Sequence, residues 1–240
     1  MTRLATATAA IDAVRAKTDT CIVFCSLGKD SLVTLDMVYP KFRRVVCVFM
    51  YFVRGLEHIE RWVRWLKSRY PRIEFLEKPH WNLSYILRGG LYCVPNPNVK
   101  LIKLRDVIQS VRIETGIHYV FLGMKKADSM NRRLMLTGYA ANHYENGGLC
   151  YPLAEWTQRD ILSYMRQHRM PEPLRYSLKA SSGTGFSTDC FLYLEEHFPQ
   201  DLQRIYAAFP FSRRILYEYH NKQEKCQTST NTFSKAAARK

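Results

Sequence analysis

Apolar and polar positions in the first half of the chain follow two alternating periods. CIVFCS, beginning at Cys21, is a short and nearly continuous apolar run, the pattern of a strand buried on both faces of a parallel sheet, and it stops abruptly at Leu-Gly-Lys-Asp-Ser. A helix follows with Leu32, Leu35, Met37 and Val38 apolar, and Pro40 ends it. VVCVFMYF reads as a second buried strand. GLEHIERWVRWLKSRY places Leu56, Ile59, Trp62, Val63 and Leu66 on one helical face, so its tryptophans face a core. IEFLEK reads as a third strand. LIKLRDVIQSVRIETG is expected to form a helix with Leu101, Leu104, Ile108 and Val111 inward, and HYVFLG a fourth strand ending on Gly123. Ahead of them all, the N-terminal stretch reads as a surface helix with Leu4, Ile11 and Val14 inward.

Strand and helix therefore alternate as β-α-β-α-β-α-β. That order predicts an α/β fold with a parallel sheet of about five strands flanked by helices, and ligands at the carboxyl ends of the strands. From Trp156 onward the periodicity is helical: TQRDILSYMRQHR, TDCFLYLEEHF and QDLQRIYAAF are amphipathic helices. The expected organisation is an α/β domain over 1–155, a helical C-terminal part over 156–220 and a disordered basic tail over 221–240, where Lys222, Lys225, Lys235, Arg239 and Lys240 stand among polar residues.

With 47% hydrophobic and 24% charged residues in 240, the composition is that of an ordinary globular protein. No apolar run approaches the roughly 20 residues a membrane helix needs. Asp12, Arg15 and Lys17 interrupt the N-terminus before a secretory core can form, so a cytoplasmic protein is expected. Seven scattered cysteines without a Cys-x-x-Cys pair read as reduced thiols, Cys21, Cys25 and Cys47 being fillers of buried strands; neither zinc nor an iron–sulfur cluster is expected. A net charge of +15 implies an anionic partner, which a phosphate-rich small molecule or a nucleic acid would satisfy equally. Arg61, Arg64, Lys67, Arg69 and Arg72 are the candidate stripe for the latter, and homo-oligomerisation stays open.

The chemistry concentrates where the first strand turns into a helix. Such a turn aims backbone N–H groups and the positive end of the helix dipole at one spot, a setting suited to phosphate. In Ser26-Leu27-Gly28-Lys29-Asp30-Ser31, Gly28 permits close backbone approach, Ser26 and Ser31 offer hydroxyls and Lys29 offers charge; Asp30 could hold Mg²⁺ or cap the helix. The Walker pattern does not fit, because Val23 stands at its first Gly and Asp30 follows the Lys. Phe49 and Met50, at the end of the second strand, are further nucleotide-binding candidates.

CSLGKDS resembles the Ser-Gly-Gly-x-Asp-Ser signature of the PP-loop ATP pyrophosphatases, especially the branch related to phosphoadenosine-phosphosulfate (PAPS) reductase, with Leu27 in place of the first Gly. FLGMKKADSMNRR is similar to that family's Gly-x-Arg-x-x-x-Ser-x-x-Arg segment, with Gly123, Lys125, Ser129 and Arg132 at the matching places and Lys125 replacing Arg. Lys126 and Arg133 enlarge this basic cluster. YPLAEWTQRDILSYMRQHRMPEP resembles the family's Pro-Leu-x-x-Trp segment, an architectural element in which Thr157 caps a helix above Trp156 and Asp160 has no catalytic part.

The resemblance implies a Rossmann-like adenine-nucleotide fold binding ATP, or a PAPS- or APS-type nucleotide, with Mg²⁺. The implied activity is cleavage of ATP to AMP and pyrophosphate to adenylate an acceptor, for sulfur or nitrogen transfer with nucleic acid as one candidate acceptor, and with Lys29, Asp30, Lys125 and Arg132 as the catalytic set. One alternative is reduction of a sulfonucleotide by a C-terminal cysteine; here Cys226 lies in Glu-Lys-Cys-Gln and lacks the family's Glu-Cys-Gly-Leu-His setting. The other is a nucleic-acid-binding accessory protein that only senses nucleotide.

Overall fold

The computed structural model describes residues 2–171 and 185–223. Five strands run parallel: β1 (Thr20–Phe24), β2 (Arg44–Tyr51), β3 (Ile73–Pro79), β4 (Val120–Phe121) and β6 (Leu149–Cys150), with the two-residue β5 (Glu145–Asn146) antiparallel at the edge. Their spatial order is β3-β2-β1-β4-β6-β5, so the chain winds outward from β1 in both directions. The fold is the expected Rossmann-like sheet. The β5–β6 pair is an addition that two-residue strands could not announce by periodicity.

Alternation along β1 and β2 sorts their side chains into two cores. Cys21, Val23, Cys25, Val45, Cys47 and Phe49 join one layer; Ile22, Phe24, Val46 and Val48 join the other. The first layer is covered by α1 (Arg3–Arg15), α2 (Lys29–Val38), α3 (Glu57–Arg69) and α7 (Gln158–Gln167) through Ile11, Val14, Leu32, Leu35, Val63, Leu66 and Ile161. The second is covered by α5 (Leu104–Thr115) and α6 (Met130–Gly138) through Val107, Val111 and Leu136. The thiols of Cys21, Cys25 and Cys47 are buried, as expected of strand fillers.

Two apolar positions differ from the periodic reading. Leu101 is 38% exposed because α5 starts only at Leu104, where the Lys103 N–H donates to Asp106 Oδ2 at 2.8 Å and closes the helix start. Leu4 is 51% exposed, and the inward stripe of α1 begins a turn later with Ala7, Ala10, Ile11 and Val14. The short α4 (Leu83–Gly89) and α6 were absent from the periodic reading.

Thr157 caps α7 through a reciprocal pair, its N–H donating to Asp160 Oδ2 at 2.7 Å and its Oγ1 accepting from the Asp160 N–H at 3.4 Å. Trp156 lies beneath with Nε1 donating to the Arg3 carbonyl at 3.1 Å. Because Ile161, Tyr164 and Met165 enter the first core layer, α7 packs as part of the α/β body. The following helices, α8 (Thr188–His197) and α9 (Pro199–Ala208), build a separate apolar cluster around Phe191, Leu194, Leu202 and Phe209 that reaches Leu56 and Ile86. Residues 214–223 are helical, so the first positions of the expected tail continue a helix; 224–240, with Cys226, lie outside the described residues.

Asp201 of α9 caps α3 from a distance in sequence. Its Oδ1 accepts from the Glu57 N–H and its Oδ2 from the His58 N–H, both at 2.9 Å, while His58 Nδ1 lies 2.8 Å from Oδ2. Burial lowers the His58 pKa against the pull of Asp201. Burial raises that of Asp201, but hydrogen bonds from His58 and Glu57 outweigh it and hold the carboxyl below its ordinary value. The unfolded His58 thus takes up a proton below about pH 6.5 that the folded one refuses, and the ionised Asp201 loses its advantage as pH falls through its depressed pKa. Both signs agree: thermal unfolding should move to lower temperature between pH 7.5 and 5.5 and further below pH 4. Asp201→Ala should cost about 2–4 kcal/mol at neutral pH, leaving the α3 N–H groups without their acceptor. Equal midpoints for wild type and Asp201→Ala in differential scanning calorimetry at pH 7.5 would refute this.

Candidate nucleotide-binding site

Parallel pairing of β1 with β2 and β4 brings three strand ends to one edge, and a cleft opens there. Its two ends differ chemically. Ser26, Asp30, Ser31, Asp128 and Arg132 make a polar end; Val48, Met50, Trp81, Leu104 and Met124 make an apolar one.

The turn from β1 into α2 is held from within. Ser31 Oγ donates to the Gly28 carbonyl at 2.8 Å and lies 3.4 Å from Ser26 Oγ. Gly28 occupies the N-cap with no side-chain acceptor, which leaves the first N–H groups of α2 directed at the turn. Leu27 adopts φ +61°, a left-handed backbone that a side chain disfavours, and its side chain is only 4% exposed within the first core layer. The structure thus places Leu27 as an anchor, and only its backbone faces the turn.

Lys125 is the hinge between the two loops. Its buried ammonium lies 2.7 Å from Asp30 Oδ2 and 2.9 Å from Asp128 Oδ1. Lys29 Nζ is 3.5 Å from Asp30 Oδ2, and Arg132 Nη1 is 2.7 Å from Asp128 Oδ2. Partial burial raises the Asp128 pKa, but the hydrogen bonds from Lys125 and Arg132 prevail and lower it. The cluster holds three cations and two carboxylates, a net positive charge before any ligand arrives. Asp30 Oδ1 is buried and has no hydrogen-bond partner among the described residues.

Gly123 sets how closely the two loops approach. A Cβ there would lie 2.9 Å from the Asp30 carbonyl oxygen and 3.0 Å from both the Asp30 carbonyl carbon and Thr34 Oγ1. Ser129 caps α6, accepting from the Arg132 N–H at 3.2 Å.

Not every candidate reaches the cleft. Met50 lines it, but Phe49, one residue earlier, points to the opposite face of the sheet and stacks on Phe75 with ring centroids 6.5 Å apart. Lys126 turns away to Glu155 at 2.5 Å, and Arg133 is exposed on α6. The periodic reading missed His80, Trp81 and Asp128. His80 and Trp81 follow β3 directly, so the rule that ligands gather at strand ends could have nominated them. Burial lowers the His80 pKa, which favours a neutral imidazole. Of the described cysteines, all buried, Cys25 alone lines the cleft.

The turn after β1, the second basic loop and the strand-end cleft are in keeping with the PAPS reductase-like branch of the PP-loop proteins. The chain belongs to the phosphoadenosine phosphosulfate reductase domain family, whose sequence model matches residues 20–177. It is 26% identical over 158 residues to an adenosine 5'-phosphosulfate reductase of Geobacillus thermodenitrificans, covering 64% of this chain and 66% of that protein. Another from Geobacillus sp. is 25% identical over 162 residues, covering 66% and 68%. The chain thus spans about two thirds of the length of these curated relatives. Among solved structures, an NH3-dependent NAD synthetase from Campylobacter jejuni aligns with a TM-score of 0.48 at 14% identity, covering 91% of this chain and 95% of that one.

Gly123→Ala should destabilise the fold by about 1–3 kcal/mol, since the added methyl meets backbone that cannot swing aside. Lys125→Ala should cost on the order of 2 kcal/mol by leaving Asp30 and Asp128 without their shared cation. Urea unfolding checks both; midpoints within experimental error of wild type would show that the loops are not held together this way.

Proposed function

We propose that the chain binds an adenine nucleotide across this cleft and cleaves ATP between its α- and β-phosphates to adenylate an acceptor. The observation that carries the reading is the net positive cluster that Lys29, Lys125 and Arg132 form around Asp30 and Asp128, of which Asp30, Asp128 and Arg132 line a cleft that also holds Met50 and Trp81. The β- and γ-phosphates would lie on the Ser26–Ser31 turn, with the base against Met50 and Trp81. An acceptor oxygen attacks the α-phosphorus as the bond to the bridging oxygen breaks; AMP stays on the acceptor and pyrophosphate leaves. Lys29, Lys125 and Arg132 stabilise the charge that develops on the leaving group.

The unpartnered Asp30 Oδ1 fits Mg²⁺, which commonly takes one or two carboxylates and completes its shell with phosphate oxygens and water. When bound there, Mg²⁺ would neutralise phosphate charge. Nucleotide binding is also the part of the reading that the family supports most directly.

A second reading, reduction of a sulfonucleotide, is favoured by the family and by the names of the relatives. It requires a thiolate that reaches the sulfur, and Cys226 is the candidate outside the described residues. One pair of assays separates the two. Protein with α-labelled ATP, Mg²⁺ and candidate acceptors should release AMP and pyrophosphate, and Cys226→Ser should keep that activity. Asp30→Ala and Ser31→Ala should each lower nucleotide affinity on the order of tenfold by calorimetry. Release of sulfite from PAPS or APS with a dithiol reductant, lost in Cys226→Ser, would overturn adenylation in favour of reduction.

A further inference from the structure

Beside the cleft, outside its lining, lies a basic face. Between Glu77 and Glu114 the sole acidic residue is Asp106, whereas Arg88, Lys100, Lys103 and Arg105 are all exposed in this interval. The contrast with the rest of the surface is direct. On α3, Arg61 and Arg64 share Glu57, and Arg69 pairs with Asp36, so three cations of the stripe suggested by the sequence have acidic neighbours.

The same interval holds an irregular stretch, 90–103, longer than most connections in compact domains. It folds back along α4: the Ile102 N–H donates to Ser84 Oγ at 2.9 Å, and the Asn96 N–H donates to the Leu87 carbonyl at 2.9 Å. Lys103 is thereby set beside α4, one residue before Leu104 at the cleft wall. On α4, Tyr85 and Arg88 are three positions apart and share a face.

Aromatic rings lead out of the cleft onto this face. His80 and Trp81 line the cleft with ring centroids 5.5 Å apart, and Trp81 meets Tyr85 at 6.0 Å, where the phenol is 38% exposed. Leu91, Val94, Leu101 and Ile102 add exposed apolar surface around the row. Arg105 pairs with Asp106 at 3.7 Å, while Arg88, Lys100 and Lys103 are exposed cations beside an accessible phenol, a combination that complements a polyphosphate whose bases are unstacked.

We propose that α4 and the stretch 90–103 dock single-stranded nucleic acid at the mouth of the cleft. A base lies against Tyr85, just outside the cleft, and phosphates lie on Arg88, Lys100 and Lys103. The surface would bring a nucleic-acid acceptor to the nucleotide, but docking does not depend on the chemistry proposed above and is measured without turnover.

The test is fluorescence anisotropy with labelled single-stranded DNA and RNA of about 20 nucleotides and with the matching duplexes, at about 50 and 200 mM salt. Wild type should bind single strands more tightly than duplex, with affinity falling at least tenfold across that salt range. Arg88→Gln/Lys100→Gln/Lys103→Gln should weaken single-strand binding at least tenfold and flatten the salt dependence. Tyr85→Ala should weaken it several-fold at both salt concentrations. Both variants should retain wild-type ATP affinity by calorimetry and wild-type unfolding midpoints. The proposal is overturned if wild type binds no single strand at the lower salt, as for a face that receives an acidic protein, if duplex binds equally well, or if either variant binds single strands as wild type does.

Discussion

Everything at the strand ends is referred to one buried ammonium. Lys125 arrives on the loop after β4, yet its charge lies between Asp30 of the β1 loop and Asp128 of its own. A cation removed from water needs close anionic partners, and two carboxylates from two loops supply them. The distance between the loops is thereby fixed by charge, and at Gly123 the absence of a Cβ leaves room for the approach. The polar end of the cleft inherits its width from this arrangement.

Why the fold was legible and the site only partly so follows from the same physics. Continuous apolar runs such as CIVFCS and VVCVFMYF can be satisfied only between two helical layers, so the sheet could be read directly. Phe49 and Met50 look equivalent in sequence, but alternation sends one into the core and the other to the cleft, and only the register of β2 decides which. Leu101 fits the helical period of its neighbours, yet Asp106 starts the helix three residues later by capping the N–H of Lys103. Trp81 lacked a motif altogether; its importance comes from its place after a strand, not from its neighbours in sequence.

Charge shows the same limit. A total of +15 says that an anion is wanted, but ion pairs decide where the field survives. On α3 the arginines are answered within a turn or two. In the interval before Glu114 a single acid, Asp106, answers Arg105, and Arg88, Lys100 and Lys103 stand exposed.

Leu27 gives the turn a different character from one built on two glycines. A glycine there would sample many backbone states before a ligand arrived, and each binding event would have to freeze them. The leucine side chain, wedged into the core, has already made that choice during folding. The loop therefore meets its phosphate as a preformed receptor, and association should show a small entropic penalty together with a rapid, single-step approach to equilibrium.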